Sequence, residues 1–253
     1  MKFDETAVVE SRKRLSDGIY DMWIRTSNIA EKSVPGQFVS VYSKDGSRLL
    51  PRPISICETD VQRLRLVYRV VGKGTKEFSE YQPGDSIHIL GPLGNGFPIQ
   101  EGKKAILIGG GIGIPPMLEL AKRIYDEKEI VVGYRNSDTF LDRELKLYGN
   151  LTVATDDGSL GTHGTVIDAI KSNGIEGDVI YACGPTPMLR AVKEYAAENG
   201  IEAWLSMEER MACGIGACLA CVCRSAEIDG HSQVHNKRVC ADGPVFNAAE
   251  VEL

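Results

Sequence analysis

Lys104-Ala105-Ile106-Leu107-Ile108-Gly109-Gly110-Gly111-Ile112-Gly113-Ile114-Pro115-Pro116 decides the fold. Its first half is a continuous apolar run, the pattern of a parallel strand buried on both faces. A glycine turn follows, and then a helix predicted over Met117 to Glu127. The turn is not a full G-x-G-x-x-G. Counting from Gly109, the sixth position is Ile114; counting from Gly111 gives G-x-G-x-x-P, ending in Pro116. Proline suits the first turn of a helix, where its missing N–H costs nothing. Gly111 and Gly113 therefore offer backbone amides, and Pro116 a helix start, to a pyrophosphate. The plain alternative is a glycine loop that only turns tightly.

Downstream the pattern alternates. Strands are predicted at Ile130–Tyr134, Leu151–Thr155, Val179–Cys183 and Glu202–Leu205, with helices at Val166–Ser172 and Pro187–Glu198. Strand and helix in turn predict a doubly wound parallel-sheet nucleotide domain over residues 101–205. Cys183, Gly184 and Pro185 end one strand just before a helix, at the sheet edge where open α/β folds bind ligands. That places Cys183 to touch a nicotinamide ring; its alternative is a small buried hydrophobe. Cys57 carries only that second reading. Asp156 ends another strand. A carboxylate there accepts from an adenosine ribose hydroxyl and repels a 2′-phosphate, which favours NAD. Arg135 at the preceding strand end keeps NADP open, and a solvated turn is the alternative for Asp156.

Upstream, residues 1–100 show short runs of strand type: Thr6–Glu10, Ile19–Thr26, Gln37–Ser43, Arg63–Val71 and Ser86–Leu90. Pro35-Gly36, Asp45-Gly46 and Pro83-Gly84 punctuate them. Such spacing predicts an antiparallel β-barrel or a sandwich. A short helix is expected over Gly74–Tyr81. Two pieces stand out. Arg52-Pro53-Ile54-Ser55 sets a cation, a rigid turn and a hydroxyl side by side. Tyr68-Arg69-Val70-Val71-Gly72-Lys73-Gly74-Thr75 ends a strand in a glycine turn that opens a helix. Taken alone, each is equally a strand arginine and a hairpin turn. Gly91 to Phe97 is rich in turn formers and suits an exit from the barrel.

Residues 206–253 hold Cys213-x4-Cys218-x2-Cys221, with Cys223 close by and Cys240 after a polar insertion. The C-x4-C-x2-C spacing is that of a loop around a [2Fe–2S] cluster. Thiolates suit iron and bridging sulfide, and Gly214 and Gly216 let amides approach the sulfurs. Zinc sites pair their ligands as separated C-x2-C knuckles, a poorer match; a redox disulfide or inert thiols remain alternatives. The fourth ligand is Cys240 or Cys223. Cys223 is only two residues past Cys221, whereas Cys240 returns from a separate element, so Cys240 is favoured. Strands are expected at Val222–Asp229 and Arg238–Cys240, with an exposed loop over Gly230–Lys237 that leaves His231 and His235 solvated. A stretch this short has a small core, so metal ligation is expected to supply much of its folding energy.

The chain of 253 residues is 43% hydrophobic and 25% charged, ordinary for a globular protein. Its net charge of −6 argues against non-specific nucleic-acid binding. The apolar run Ala105–Leu118 is too short to cross a bilayer. Met1 to Glu5 has no apolar leader and the seven cysteines are an odd count, which together suggest reduced thiols and a cytoplasmic location.

Arg-Pro-Ile-Ser, the glycine phosphate turn, Gly-Gly-Gly-Ile-Gly-Ile-Pro-Pro and Cys-Gly-Pro-Thr-Pro-Met, in that order, resemble the ferredoxin–NADP reductase superfamily. Met207-Glu208-Glu209-Arg210-Met211 through Cys223, then Val239 to Phe246, resemble more narrowly the electron transfer subunits of dihydroorotate dehydrogenase B. The resemblance spans essentially the whole chain. It implies that Arg52, Pro53, Ile54, Ser55, Tyr68, Arg69, Val70, Gly74 and Thr75 hold FAD, with Ser55 near the isoalloxazine. It implies Cys213, Cys218, Cys221 and Cys240 as cluster ligands. It also implies a separate FMN-bearing catalytic subunit that oxidises dihydroorotate, in a heterotetramer of two subunits of each kind. Electrons would pass from FMN through the [2Fe–2S] cluster and FAD to NAD+, in pyrimidine biosynthesis. The hydride step needs no general acid or base, so no catalytic side chain is assigned. Relatives with the same three parts, a bifurcating NADH–ferredoxin:NADP reductase subunit or a sulfide dehydrogenase subunit, are the nearest alternatives. A zinc-binding adaptor without enzyme activity is the alternative from another class.

Overall fold

The computed structural model describes residues 1–228 and 233–253. Six strands close a barrel: β1 (Phe3–Ser16), β2 (Ile19–Arg25), β3 (Phe38–Val41), β4 (Arg52–Asp60), β5 (Arg63–Arg69) and β6 (Ser86–Leu93), in the order β1-β2-β5-β4-β3-β6. All pairs are antiparallel, and β6 returns to β1. The expected barrel, rather than a sandwich, is what forms. Alternate side chains point inward, so Ile24, Leu64, Leu66, Ile87 and Ile89 fill the interior. Two short helices complete this part, α1 (Ile29–Lys32) and α2 (Lys73–Phe78). The expected helix over Gly74–Tyr81 stops earlier, at Phe78.

A seven-stranded sheet follows. Its strands in chain order are β7 (Ala105–Gly110), β8 (Lys128–Tyr134), β9 (Asn150–Thr155), β10 (Thr162–His163), β11 (Val179–Cys183) and β12 (Glu202–Ser206). The seventh comes from near the end of the chain. The helices are α3 (Pro115–Arg123), α4 (Asp142–Leu145), α5 (Val166–Ser172) and α6 (Thr186–Asn199). The spatial order β10-β9-β8-β7-β11-β12 is parallel throughout and reverses direction of growth between β7 and β11. That is the switch point where doubly wound sheets take their ligands. Helix α3 begins at Pro115, two residues before the expected Met117, because both prolines fit its first turn. It ends at Arg123, not Glu127. Helix α4 and strand β10 had no expectation.

The last stretch forms a small ladder, β13 (Val222–Arg224) with β14 (Asn236–Arg238), and then β15 (Val245–Asn247). The expected strand ends at Arg224, and Arg238–Cys240 is a strand only in its first residue. The far end of that expected strand, Asp229, lies outside the described residues, as do Gly230 and His231. The stretch does not rest on a core of its own. Strand β15 pairs antiparallel with β12 and becomes the edge of the nucleotide sheet. Cys221, Cys223, Val239, Cys240 and Phe246 share one apolar cluster with Ile108, Ala182 and Leu205 of the sheet and with Phe38 and Leu93 of the barrel. Burying a phenylalanine such as Phe246 contributes about 2 kcal/mol. Packing, not only metal ligation, therefore holds this stretch in place. Asn95 adds a polar pin: its side chain accepts from the Val245 amide at 3.0 Å and donates to the Val245 carbonyl at 2.8 Å.

Candidate cofactor sites

The cysteine loop is shaped by two glycines. Gly214 (φ 68°) and Gly216 (φ 90°) both take left-handed backbone that favours glycine. Each turns the next amide inward, so Ile215 N and Ala217 N donate to Cys213 Sγ at 3.5 and 3.3 Å. Desolvation opposes ionisation of Cys213, but these amides, with the Cys218 amide and thiol, outweigh it and draw its thiol down to about 6. Cys240 sits across the loop. Its amide donates to Cys221 Sγ at 3.4 Å, and the Val239 amide donates to the Cys221 carbonyl at 2.9 Å. Burial, and then the Cys221 thiol, push Cys240 up to about 12. The sulfurs thus stand in two pairs, Cys213 with Cys218 and Cys221 with Cys240.

Cys223 lies apart on β13, opposite Lys237. Burial and the charge of Glu209 push its thiol up to about 11. Among the described residues no three His, Cys, Asp or Glu side chains converge as ligands to a single ion do. Two pairs of thiols suit two irons better than one tetrahedral zinc. His235 is tied to the backbone, its Nδ1 3.1 Å from the Ser225 carbonyl.

The cysteine loop touches the barrel. A Cβ on Gly214 would fall 2.7 Å from Ser40 Oγ. Ser40 lies on β3, directly opposite Pro53 of β4. Arg52, Pro53, Ile54 and Ser55 therefore stand one strand, about 5 Å, from the strand that the cysteine loop contacts. Arg52 crosses to the start of α2, where a Cβ on Gly74 would fall 2.3 Å from its Nε. Only glycine lets that cation lie against the turn. The Thr75 hydroxyl accepts from the Val71 and Gly72 amides at 3.0 and 3.2 Å, so it braces the turn itself. Tyr68 is 2% exposed, with its ring beside Tyr20 and edge-on to Phe78. Among the described residues its hydroxyl is a buried polar atom without a hydrogen-bond partner, and burial raises its pKa. A cation, a glycine turn and an orphaned hydroxyl together fit a flavin dinucleotide. Val70 continues from Arg69, and its amide donates to the Gly18 carbonyl at 2.8 Å.

The nucleotide turn meets the barrel at Arg69, whose Nη2 lies 3.6 Å from where a Gly111 Cβ would be. Gly113 is pressed against the end of β11: a Cβ there would lie 2.3 Å from the Cys183 carbonyl oxygen and 2.6 Å from the Gly184 amide nitrogen. Pro185 borders Gly110 in the same way. Gly111, Gly113, Cys183, Gly184 and Pro185 thus converge at the switch point, with Pro116 buried in the first turn of α3. Cys183 is buried, and burial with the charge of Glu208 pushes its thiol up to about 12. Asp156 is exposed at the end of β9, two strands from β7, about 10 Å from the turn by sheet spacing.

Sequence reading passed over three neighbours. Ser206 is in register with Cys183 on the neighbouring strand. Glu208 faces Arg69, which offsets part of the desolvation that raises its pKa. Ser40 joins the loop to the barrel. The Met207-Glu208 run did precede the cysteines in sequence, but only the strand ending at Ser206 shows where it points.

Comparison with known proteins agrees with this geometry. Residues 208–252 match the iron–sulfur cluster binding domain of dihydroorotate dehydrogenase B, and residues 107–194 match the oxidoreductase NAD-binding domain. A dihydroorotate dehydrogenase B (NAD(+)) electron transfer subunit from Geobacillus sp. (strain WCH70) is 44% identical over 263 residues, covering 100% of both chains. The chain belongs to the family of dihydroorotate dehydrogenase B electron transfer subunits. Another member of that family, from Listeria monocytogenes serotype 4a (strain HCC23), is 45% identical and covers 97% of each chain. Among solved structures, an NADH-dependent reduced ferredoxin–NADP oxidoreductase studied for flavin-based electron bifurcation superposes with a TM-score of 0.88. It is 29% identical and covers 98% of this chain and 90% of that one. A ferredoxin NADP+ reductase from Neisseria gonorrhoeae, solved with FAD and NADP, gives 0.65 at 16% identity over 78% and 92% of the two chains, a likeness of fold. Dihydroorotate dehydrogenase B electron transfer subunits are oxidoreductase components, and this chain matches both a cluster-binding and an NAD-binding part.

Proposed function

We propose that this chain carries electrons from the FMN of a catalytic dihydroorotate dehydrogenase subunit to NAD+, in a two-plus-two heterotetramer. The stretches 1–100, 101–205 and 206–253 serve FAD, NAD and a [2Fe–2S] cluster in turn. When bound, the cluster supplies one-electron transfer and the flavin links it to the two-electron hydride chemistry of nicotinamide. Cys213, Cys218, Cys221 and Cys240 hold the irons. Arg52 offsets the pyrophosphate charge at the Gly74 turn, and Ser55, Tyr68, Arg69, Val70 and Thr75 line the remainder. Gly111, Gly113 and Pro116 take the nicotinamide dinucleotide's phosphates, Cys183, Gly184 and Pro185 border its ring, and Asp156 accepts from the ribose. No side chain moves a proton.

The observation that carries this reading is the contact of Gly214 with Ser40, one strand from Arg52–Ser55. It sets the cysteine loop and the flavin strand side by side. Exposure of Cys218 on the outer rim of that loop supports entry of electrons there. The close structural likeness to the ferredoxin–NADP oxidoreductase favours one second reading, a bifurcating partner in place of the dihydroorotate enzyme. The test is an anaerobic visible spectrum of purified chain with FAD and cluster, before and after NADH. Flavin and cluster bands that both bleach support the reading; bands that respond only to NADPH overturn the NAD assignment. Orotate formation with the FMN subunit added separates the two partners.

A further inference from the structure

The junction between barrel and nucleotide sheet holds a buried set of ion pairs that the cofactor sites do not use. Arg65 of β5 is 3% exposed. Its guanidinium donates to both oxygens of Asp21 at 3.0 Å, to Glu58 at 3.0 Å, and to Glu144 of α4 at 3.0 Å. Glu58 also accepts from Lys122 of α3 at 2.7 Å. Beside it, Glu119 of α3, 2% exposed, accepts from the Thr59 amide at 3.0 Å and the Thr59 hydroxyl at 2.9 Å. Four bonds from the barrel thus grip α3 and α4.

Burying so many charges is a poor way to gain stability, because desolvation offsets most of the Coulomb attraction. What such bonds give is register. Apolar faces slide past each other; paired forks of donors and acceptors do not. The elements involved are those that carry the cofactor residues. Along β5, Arg65 lies four residues, about 13 Å, from Arg69. Along the turn and α3, Gly113 lies six residues, about 9 Å, from Glu119. Arg69 and Gly111 meet at the far end of both.

We infer that the Arg65 hub, with Asp21, Glu58, Glu144, Lys122 and Glu119, is a positioning device for hydride transfer. It fixes α3 against β4 and α4 against β5, and so presets the glycine turn over the flavin strands. Arg65 acts through α3 and touches neither cofactor. The inference rests on the reading that flavin and nicotinamide meet at the Arg69–Gly111 junction.

The test uses the full chain with Glu144→Ala and Lys122→Met, two variants on the nucleotide side; the Glu144 side chain is 41% exposed, so folding tolerates its loss. Flavin bleaching by NADH is followed by stopped flow, NADH affinity by titration, and amide hydrogen exchange on the flavin-free chain. The expected result is a saturating bleaching rate lower by on the order of tenfold. NADH affinity stays unchanged, and exchange accelerates at the amides of Ile114, Met117 and Leu118 but not in β6. Glu144→Gln, which keeps one acceptor for Arg65, recovers part of the rate. Wild-type rate and exchange in both variants, even with a lowered melting temperature, overturn the inference, because the hub then serves stability alone. A rate that recovers fully at saturating NADH overturns it too. Wild-type flavin that NADH does not bleach sinks the underlying reading instead.

Discussion

Cys240 and Cys223 show what one residue's surroundings decide. Both are buried, and both follow Cys221 in the chain. Among the described residues, only Cys240 has its amide on Cys221 Sγ, while Cys223 lies on β13 opposite Lys237. Cys240→Ser should remove the cluster's visible absorption and its iron and sulfide, whereas Cys223→Ser should keep both; metal analysis of the two purified variants checks this. The C-x4-C-x2-C spacing was legible because it is local. The proposed fourth ligand, Cys240, is 19 residues beyond Cys221, and only the return of β14 brings its amide to Cys221 Sγ. Tyr68 makes a second case. A buried, unpaired hydroxyl costs about 1–3 kcal/mol. Tyr68→Phe should therefore raise the melting temperature of the flavin-free chain, and lower FAD affinity about fivefold if the flavin is the missing partner. A flavin titration reads the second effect, and unchanged affinity would take Tyr68 out of the site.

At the scale of elements, apolar runs that are buried on both faces announced β7 and β11, and their bounds came close. Short elements did not announce themselves. Strand β15 has three residues, and only the neighbouring strand β12 makes it a strand. Helix α4 has four. Arg65 is the more instructive miss. In Arg63-Leu64-Arg65-Leu66 it alternates with leucine and has the pattern of an outward, solvated side chain. It does point out of the barrel, but α4 of the nucleotide sheet covers it. Sequence periodicity reports which face a residue is on and not what lies against that face. The tie has a pH signature. The hydrogen bond from Arg65, against some desolvation, holds Glu144 below its ordinary 4.5. A carboxylate depressed on folding stabilises fully above its unfolded pKa, and the gain is lost as pH falls through the folded value. Trp23, whose ring lies 5.8 Å under the Arg65 guanidinium, is a reporter of this junction. Its fluorescence should shift as pH drops below about 4.5, and the shift should be smaller in Glu144→Gln.

At the scale of the molecule, the three stretches are less separate than their composition suggests. Phe38 and Leu93 of the barrel, Ala182 and Leu205 of the sheet, and Phe246 of the last stretch lie in one apolar cluster. The cysteine loop is consequently backed by packed structure on its inner side and bare on its outer side. Ile215 is 45% exposed, Leu219 54% and Val222 37%, all around Cys218. Aliphatic side chains beside a redox loop are what a docking partner covers, since burying them is favourable and brings the cluster close. Leu219 also holds φ 57°, an uncommon conformation for a side chain of its kind, which fixes it outward next to Cys218. An aspartate at that position tolerates such backbone better and would carry charge into an apolar contact. Leu219→Asp should therefore leave folding and the bleaching of flavin and cluster by NADH intact. It should cut dihydroorotate-dependent NAD+ reduction, measured with the FMN subunit present, by tenfold or more, about 1.4 kcal/mol of lost association. Equal loss in both assays would mean that the leucine supports the cluster itself, and no loss in either would move the docking surface elsewhere on the chain.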